Sequence, residues 1–292
     1  MTALAERSFS AQLLQGDRLH LQDGPIDLVI EAEGSPGEVH LAYAQAVAAF
    51  EGLLADLVRE LPELRRPLGP EAHRPRHPVA RAMVRACRPH AQLWVTPMAA
   101  VAGAVADHIL ASLIEGRRLT RAWVNDGGDI AVHLTPGTSL DIGLVADLAD
   151  WGPTGRLTLT HDGPARGLAT SGRQGRSLSR GIAEAVTVLA GSAAAADVAA
   201  TLIANAVDLE DHPGVLRRPA CDLDRDSDLG TLPVVTAVGP LTREEIEEAL
   251  AAGARLAAQM QEAGLIHAAL LSLRGQGRAV PDRQEEKRLT WT

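Results

Sequence analysis

The stretch GLATSGRQGRSLSRGIAEAVTVLAGSAAAADVAATLIANAVD, residues 167–208, decides how both the fold and the functional site are interpreted. It begins as a loop rich in Arg, Ser and Gly and continues as a short apolar strand over Ala185–Ala190. An Ala-rich helix then covers about Ser192–Val207. Because this helix is apolar around nearly its whole circumference, we expect it to be buried. The segment is therefore the first place to look for a ligand site.

Three polar residues interrupt the apolar pattern of this helix. Asp197, Thr201 and Asn205 are spaced at i, i+4 and i+8, and Asp208 returns to nearly the same angle. A carboxylate and a hydroxyl one turn apart present two hard oxygen ligands to one point, which suits Mg²⁺. Hydrogen bonding of the stripe to neighbouring backbone is the alternative interpretation, since it is the usual state of buried polar groups.

The loop that precedes the strand is basic in an otherwise acidic chain. Residues 166–180 contain four Arg, three Gly, three Ser and one Thr without any acid, whereas the whole chain has a formal net charge of −9. Glycines let backbone N–H groups approach an anion, and arginines bind phosphate oxygens through two N–H groups at once. The alternative is a solvated basic loop. Next to a candidate Mg²⁺ stripe, a diphosphate-bearing ligand is favoured.

A third element is the run Asn125-Asp126-Gly127-Gly128-Asp129 between two strand-like segments. These residue types favour a tight turn because they tolerate positive φ. The flanking strands place the turn at the end of a sheet, where it could face a ligand or serve only as a turn. Elsewhere, strands and helices follow one another without a strict βαβ alternation, which favours an α+β fold.

Coarse patterns elsewhere in the chain give the remaining elements. With four Trp, two Phe and one Tyr, the chain must fill its core with Ala, Val and Leu. The predicted elements are strands over 18–22, 26–33, 91–95, 121–134 (with a central turn), 139–145, 156–160 and 233–238, helices over 39–61, 79–87 and from 97 to Gly116, a helix capped by Thr242 and Glu245, loops over 62–79, 163–181 and 208–230, a final buried element over 265–273, and a poorly ordered polar tail.

Together these motifs resemble the ApbE superfamily of FAD:protein FMN transferases, in a divergent branch. The order and approximate spacing of the motifs agree over about residues 90–208. The matching segments are VNDGGDI (124–130) with the family's N-x-G-G-[DE/N]-I, Ala169–Gly172 with ATSG, Ala185–Ala190 with S-V-T-V-I-A, Ala196–Thr201 with A-D-x-x-[AS]-T, and 97–109 with a degenerate D-L-G-x-x-A-K-G-Y-A-x-D that retains Gly103 and Asp107.

The resemblance implies an α+β fold of ApbE/T-fold-like mixed sheets packed with helices. It implies a single domain over 1–292, with N-terminal strands and a helix over 1–89, the core over 90–275 and a polar tail over 276–292. It also implies that Asp197 and Thr201, with backbone carbonyls around 99–102, hold Mg²⁺, and that FAD or FMN contacts the glycine turn and the ATSG loop. The residues predicted to bind the flavin nucleotide are Asn125, Gly127, Gly128, Asp129, Ala169, Thr170, Ser171 and Gly172, with Arg173 and Arg176 from the basic loop.

The chain departs from the family where the family's H-I-I-D-P-x-T-G segment should lie. Only Arg173–Glu184 occupies that gap, and it contains neither His nor Asp-Pro. Thr96, Ala102 and Ala104 also replace the acid, the Lys or Glu and the Tyr of the first-helix motif. Catalytic residues are therefore not assigned. Residues of the altered loop, among them Ser177 and Ser179, could form a different anion site.

The sequence thus predicts Mg²⁺-dependent binding of a flavin nucleotide or similar diphosphate, and the resemblance implies flavin or phosphoryl transfer to an acceptor protein. A non-catalytic flavin-binding accessory protein and a hydrolase or transferase acting on another anionic metabolite stay open, as does a homodimer. The acidic charge argues against nucleic acid as a partner. The sequence contains no uninterrupted apolar run of about 18 residues, which is the length that a membrane-spanning helix needs. The N-terminus lacks signal-peptide features, so we expect a cytoplasmic protein.

Overall fold

The computed structural model describes residues 9–69, 71, 73–144, 155–175 and 177–282. The chain divides into two compact units, of which the first comprises Met1–Leu140, Thr160–Gly167 and Ser192–Ala194, and the second the remainder. Each unit contains both helices and strands, and the strand pairs whose registers are defined are antiparallel. The predicted α+β class is confirmed.

Five neighbouring antiparallel strands form the sheet of the first unit. One face of this sheet is apolar and buried, as the alternation of residues such as Leu21, Leu28 and Val124 with polar neighbours requires. The predicted pair of strands around the 23–25 turn and the hairpin over 121–134 are confirmed. The strands are β1 (Ser10–Leu14), β2 (Arg18–Asp23), β3 (Ile26–Gly34), β4 (Leu119–Asp126) and β5 (Asp129–Leu134).

Four α-helices belong to the first unit: α1 (Pro36–Phe50), α2 (Leu53–Leu64), α3 (Pro78–Cys87) and α4 (Val101–Ile114). The prediction of one helix over 39–61 is wrong, because Gly52 adopts φ +77° and separates α1 from α2. The predicted strand over 91–95 is also wrong. That stretch follows a short 3₁₀ turn, and the N–H of Leu93 bonds back to the carbonyl of His90.

Helix α4 is the central helix of the first unit and packs against α1, α3, β4 and β5. Thr96 accepts the N–H of Met98 at the start of the helical segment, as its position before Pro97 predicts. The segment Pro97–Ile114 is long and apolar enough on average to cross a membrane, but half of it is buried inside the structure. Such burial is typical of the core helix of a globular unit.

The second unit contains most of a sheet with the strand order β8, β9, β12, β13, of two smaller strand pairs, β6–β7 and β10–β11, and of the helices α5 and α6. The first two residues of α5, Ala193 and Ala194, belong to the first unit. Helix α6 packs against β12 and β13, and the predicted capping box of Thr242 and Glu245 opens it. The bounds are β6 (Ser139–Leu144), β7 (Gly155–Thr160), β8 (Gly167–Ser171), β9 (Ala185–Ala190), α5 (Ala193–Ala206), β10 (Val215–Pro219), β11 (Pro233–Val238), α6 (Arg243–Glu262), β12 (Ala268–Leu273) and β13 (Gln276–Val280).

Three segments of the second unit are more ordered than predicted. The proposed loop 163–181 contains β8, and the proposed loop 208–230 contains β10. The polar tail after Gly275 begins with β13, whereas residues 283–292 lie outside the described residues. Strand β13 is almost entirely solvent-exposed, so it carries no alternation of apolar and polar residues that a sequence pattern could reveal.

We expect two histidines of the first unit, His77 and His108, to make its stability sensitive to acid. The rings of His77 and His108 lie 5.8 Å apart. Burial lowers the pKa of both side chains, and the charge of His77 lowers that of His108 further. Because the folded-state pKa lies below the unfolded value, stability is complete above the unfolded pKa and is lost as the pH falls through the folded one.

We expect the melting temperature to fall between about pH 7 and pH 5, the range in which histidine titrates. The melting temperature of His108→Gln should fall less than that of wild type over this range. The control His40→Gln, at an exposed position, should show the same fall as wild type. Melting curves at several pH values measure this. If wild type and His108→Gln lose the same melting temperature on acidification, the burial of His108 is not the cause of the acid sensitivity.

Candidate functional site

The glycine turn joins β4 to β5 at the end of the sheet in the first unit, as predicted. Gly127 and Gly128 have φ values of +62° and +116°, which explains two successive glycines in a two-residue hairpin. The Oδ1 of Asn125 accepts the N–H of Gly128 at 2.8 Å and closes the turn. Asp126 and Asp129 face each other in the register and are only 6% and 8% exposed. The turn thus carries two buried carboxyl groups.

The ATSG segment of the second unit lies on a strand rather than in a loop. Ala169, Thr170 and Ser171 belong to β8, and the hydroxyl groups of Thr170 and Thr187 are 2.9 Å apart. Gly172 follows with φ +151°, and a Cβ added there would lie 2.3 Å from the carbonyl oxygen of Glu184. This glycine is therefore explained by close contact with the chain's own backbone.

The arginines of the basic loop have different environments. Arg166 donates to the carbonyl groups of residues 161, 163 and 165 and so holds its own turn together. Arg173 lies just after β8, where its main-chain N–H bonds to Ala183 at 2.8 Å, and its buried Nε has no hydrogen-bond partner among the described residues. Arg176 lies outside the described residues. The main-chain N–H of Arg180 bonds to the side chain of Asn205.

Helix α5 shows the predicted pattern of a polar stripe on a buried helix. Asp197, Thr201 and Asn205 are half-buried, whereas the apolar residues around them are buried. Asn205 is engaged with Arg180 through its Oδ1 at 3.0 Å. Asp208 forms an ion pair with Arg217, and burial raises the pKa of the Asp208 carboxyl. Asp197 and Thr201 lie one turn apart on the same half-buried stripe.

The start of α5 depends on two residues of α4 to which sequence reasoning assigned no role. The two carboxylate oxygens of Asp107 accept the N–H groups of Ala193 and Ala194, each at 3.0 Å. A Cβ at Gly103 would lie 2.3 Å from the carbonyl oxygen of Ala193. Burial raises the pKa of Asp107, and the hydrogen bonds oppose this rise. The retention of both residues in the first-helix motif was the available signal.

No group of three or more His, Cys, Asp and Glu side chains is placed to hold a metal ion within the described ranges. The stripe of α5 supplies a different set of donors, one carboxylate and one hydroxyl. Mg²⁺ commonly binds through one or two carboxylates, with water and substrate phosphates completing its shell. The chemistry of Asp197 and Thr201 therefore fits Mg²⁺ in company with an anionic ligand, and does not fit a cage made by protein alone.

These features define an α+β chain whose second unit carries a polar helix stripe and a glycine at a strand end. A family model described as AbpE bacteria matches residues 10–279, and the chain belongs to this family. The predicted ApbE-like membership is thereby confirmed.

Two archaeal relatives share part of the chain. The UPF0280 protein of Methanothermobacter thermautotrophicus is 36% identical over 152 residues, which are 52% of this chain and 57% of the relative. A UPF0280 protein of Methanopyrus kandleri is 38% identical over 141 residues, covering 48% of this chain and 54% of the relative. The chain thus matches little more than half the length of these relatives.

Two solved structures are distantly similar. The flavinyl transferase ApbE of Pseudomonas stutzeri in its apo form is 13% identical with a TM-score of 0.47, over 96% of this chain and 95% of that one. The ApbE protein of Thermotoga maritima is 15% identical with a TM-score of 0.38, over 88% and 79%.

Proposed function

We propose that this chain binds a flavin nucleotide, or a similar diphosphate-bearing nucleotide, together with Mg²⁺. The observation that carries the proposal is the placement of Asp197 and Thr201 one turn apart on the half-buried polar stripe of a largely buried helix. Mg²⁺ commonly binds through one or two carboxylates while water and substrate phosphates complete its shell, and this pair offers one carboxylate and one hydroxyl a single turn apart. Membership of the AbpE bacteria family supports flavin as the ligand class.

In this proposal Asp197 and Thr201 would hold Mg²⁺. The ion, when bound, acts as a Lewis acid that polarises a phosphoryl oxygen. Arg173 would contribute positive charge to the diphosphate, because a guanidinium binds phosphate oxygens and its Nε has no acceptor in the part of the chain that the structure describes. The hydroxyl groups of Thr170 and Ser171 stand at the end of β8 and would donate to the ligand.

The remaining predicted contacts rest on the family resemblance. Ala169, Gly172 and Arg176 from the second unit, and Asn125, Gly127, Gly128 and Asp129 from the turn of the first, are proposed as flavin-binding residues on that ground. Because Arg173–Glu184 lacks His, no catalytic residue is proposed. Transfer to an acceptor protein, a homodimer and a cytoplasmic location stay predictions.

Calorimetric titration of the intact chain with FAD and ADP tests the proposal. In the presence of Mg²⁺ both ligands should bind, and Asp197→Ala should weaken binding by about tenfold or more, as loss of a metal ligand does. Glu248→Ala removes an equal charge from an exposed position of α6 and should change nothing. The proposal fails if a folded Asp197→Ala variant binds FAD as tightly as wild type does in Mg²⁺.

The products formed from FAD separate a reaction from simple binding. Hydrolysis would break the diphosphate bond by adding water and give FMN and AMP. Transfer would leave FMN on the acceptor and release AMP. An accessory protein would return FAD intact. Chromatography of FAD incubated with the chain and Mg²⁺, with and without a threonine-containing acceptor peptide, therefore distinguishes the classes, since transfer releases AMP without free FMN and only when the peptide is present.

A further inference from the structure

A groove of about 850 Å³ in the first unit is lined by residues of helix α2, by Arg66 and by residues between Arg74 and Pro78. Seven of its ten lining residues are acidic or basic: Asp56, Arg59, Glu60, Glu63, Arg66, Arg74 and Arg76. Its size falls within the range of small-molecule sites, about 300–1,000 Å³. Because most of the lining residues carry charge, the balance of unpaired charge decides which ligand fits.

The carboxylates of the groove are used by the chain itself. Glu60 accepts the main-chain N–H groups of Arg76 and His77, both at 2.6 Å. Glu63 accepts the N–H of Arg74 at 3.0 Å and pairs with the guanidinium of Arg66 at 3.1 Å. The hydrogen bond from Arg74 holds the pKa of Glu63 below its ordinary value. These bonds fasten the 74–77 segment onto α2. Glu63 is neutralised by Arg66 and Asp56 by Arg59, whereas Glu60 keeps its negative charge because amide N–H groups carry none.

Three arginines of the groove have side-chain hydrogen-bond donors without an acceptor among the described residues. Arg74 and Arg76 are exposed, and neither guanidinium has an ion-pair or hydrogen-bond partner among residues 9–69, 71, 73–144, 155–175 and 177–282. Arg66 pairs with Glu63 and Glu71 through its terminal nitrogens, but its buried Nε has no acceptor within those residues. A buried N–H donor without an acceptor is costly, and an anionic oxygen would satisfy it.

We propose that this groove is a second anion site that binds a phosphorylated small molecule through Arg66, Arg74 and Arg76. Arginine presents paired N–H groups that match phosphate oxygens, and Arg74 and Arg76 both line the groove without an ion-pair partner among the described residues, which suits a dianionic phosphate. The site lies entirely within the first unit and uses none of the residues assigned to the flavin nucleotide. It does not require the Mg²⁺ proposed for α5.

Calorimetric titration of the full chain with inorganic pyrophosphate in EDTA tests this site. Wild type and Asp197→Ala should bind equally, since the groove does not use α5. The double variant Arg74→Ala/Arg76→Ala should lose about tenfold or more in affinity, because it removes the two free phosphate ligands. The matched control Arg85→Ala/Arg88→Ala removes the same charge from exposed positions outside the groove and should keep wild-type affinity.

Four results would overturn the proposal. Absence of saturable pyrophosphate binding to wild type in EDTA is the first, and equal loss of affinity in both double variants, which would indicate net charge alone, is the second. Loss of binding in Asp197→Ala would assign the anion to the second unit. A phosphoserine peptide titrated in parallel should bind more weakly than pyrophosphate, and tighter binding would contradict a small-molecule ligand. Circular dichroism checks that every variant is folded.

Discussion

Asp107→Ala should lower the free energy of unfolding by about 2–4 kcal/mol, because it leaves the first N–H groups of helix α5 without their acceptors. The carboxylate bonds the N–H groups of Ala193 and Ala194 from a position 86 and 87 residues away along the chain. Both alanines are buried, so water cannot readily replace the lost bonds. Asp107→Asn keeps one acceptor oxygen and should have a smaller effect. Urea unfolding measures both changes.

The control for this prediction is Asp162→Ala, which removes an equal charge from an exposed loop position of the first unit. It should leave the unfolding free energy within about 0.5 kcal/mol of wild type. If Asp107→Ala unfolds at the same urea concentration as the control, the bidentate cap does not stabilise the start of α5.

Gly172→Ala is the second change for which a large effect is expected, about 2–4 kcal/mol of destabilisation. The added Cβ would lie 2.3 Å from the carbonyl oxygen of Glu184, and φ of +151° is a conformation that side chains other than glycine rarely adopt. The backbone around Glu184 cannot withdraw freely, because its N–H bonds to Ser272 at 3.0 Å. The strand end that carries the proposed ligand contacts should therefore shift.

Gly191→Ala is the matched control in the same unit, since a Cβ there meets no atom within 4 Å. It should be nearly neutral in urea unfolding. A Gly172→Ala variant as stable as Gly191→Ala would show that the contact with Glu184 imposes no constraint.

Elements with strong local signals were predictable from the sequence. The turn at 23–25, the caps at Thr96 and Thr242 and the apolar helix α5 follow from residue types within one or two turns of each element. The break at Gly52 was missed because the apolar periodicity continues across it. Strand β13 was missed because an exposed edge strand buries no alternating face.

The candidate site likewise has features that the sequence reveals and features that depend on contacts made only in the fold. The stripe of Asp197 and Thr201 and the glycine turn are visible in the sequence because spacing alone defines them. The role of Asp107 is not visible, since its partners come from a distant part of the chain. The reason for Gly172 and the free arginines of the groove likewise depend on which backbone and which carboxylates the fold brings near them.

The affinity of the wild-type chain for FAD, measured by calorimetry in Mg²⁺ and again in EDTA, decides whether the metal and the nucleotide share one site. Mg²⁺ should tighten FAD binding by about tenfold or more, because Asp197 and Thr201 would contribute to the shell of the ion together with the diphosphate oxygens. Equal affinity for FAD in Mg²⁺ and in EDTA would contradict it.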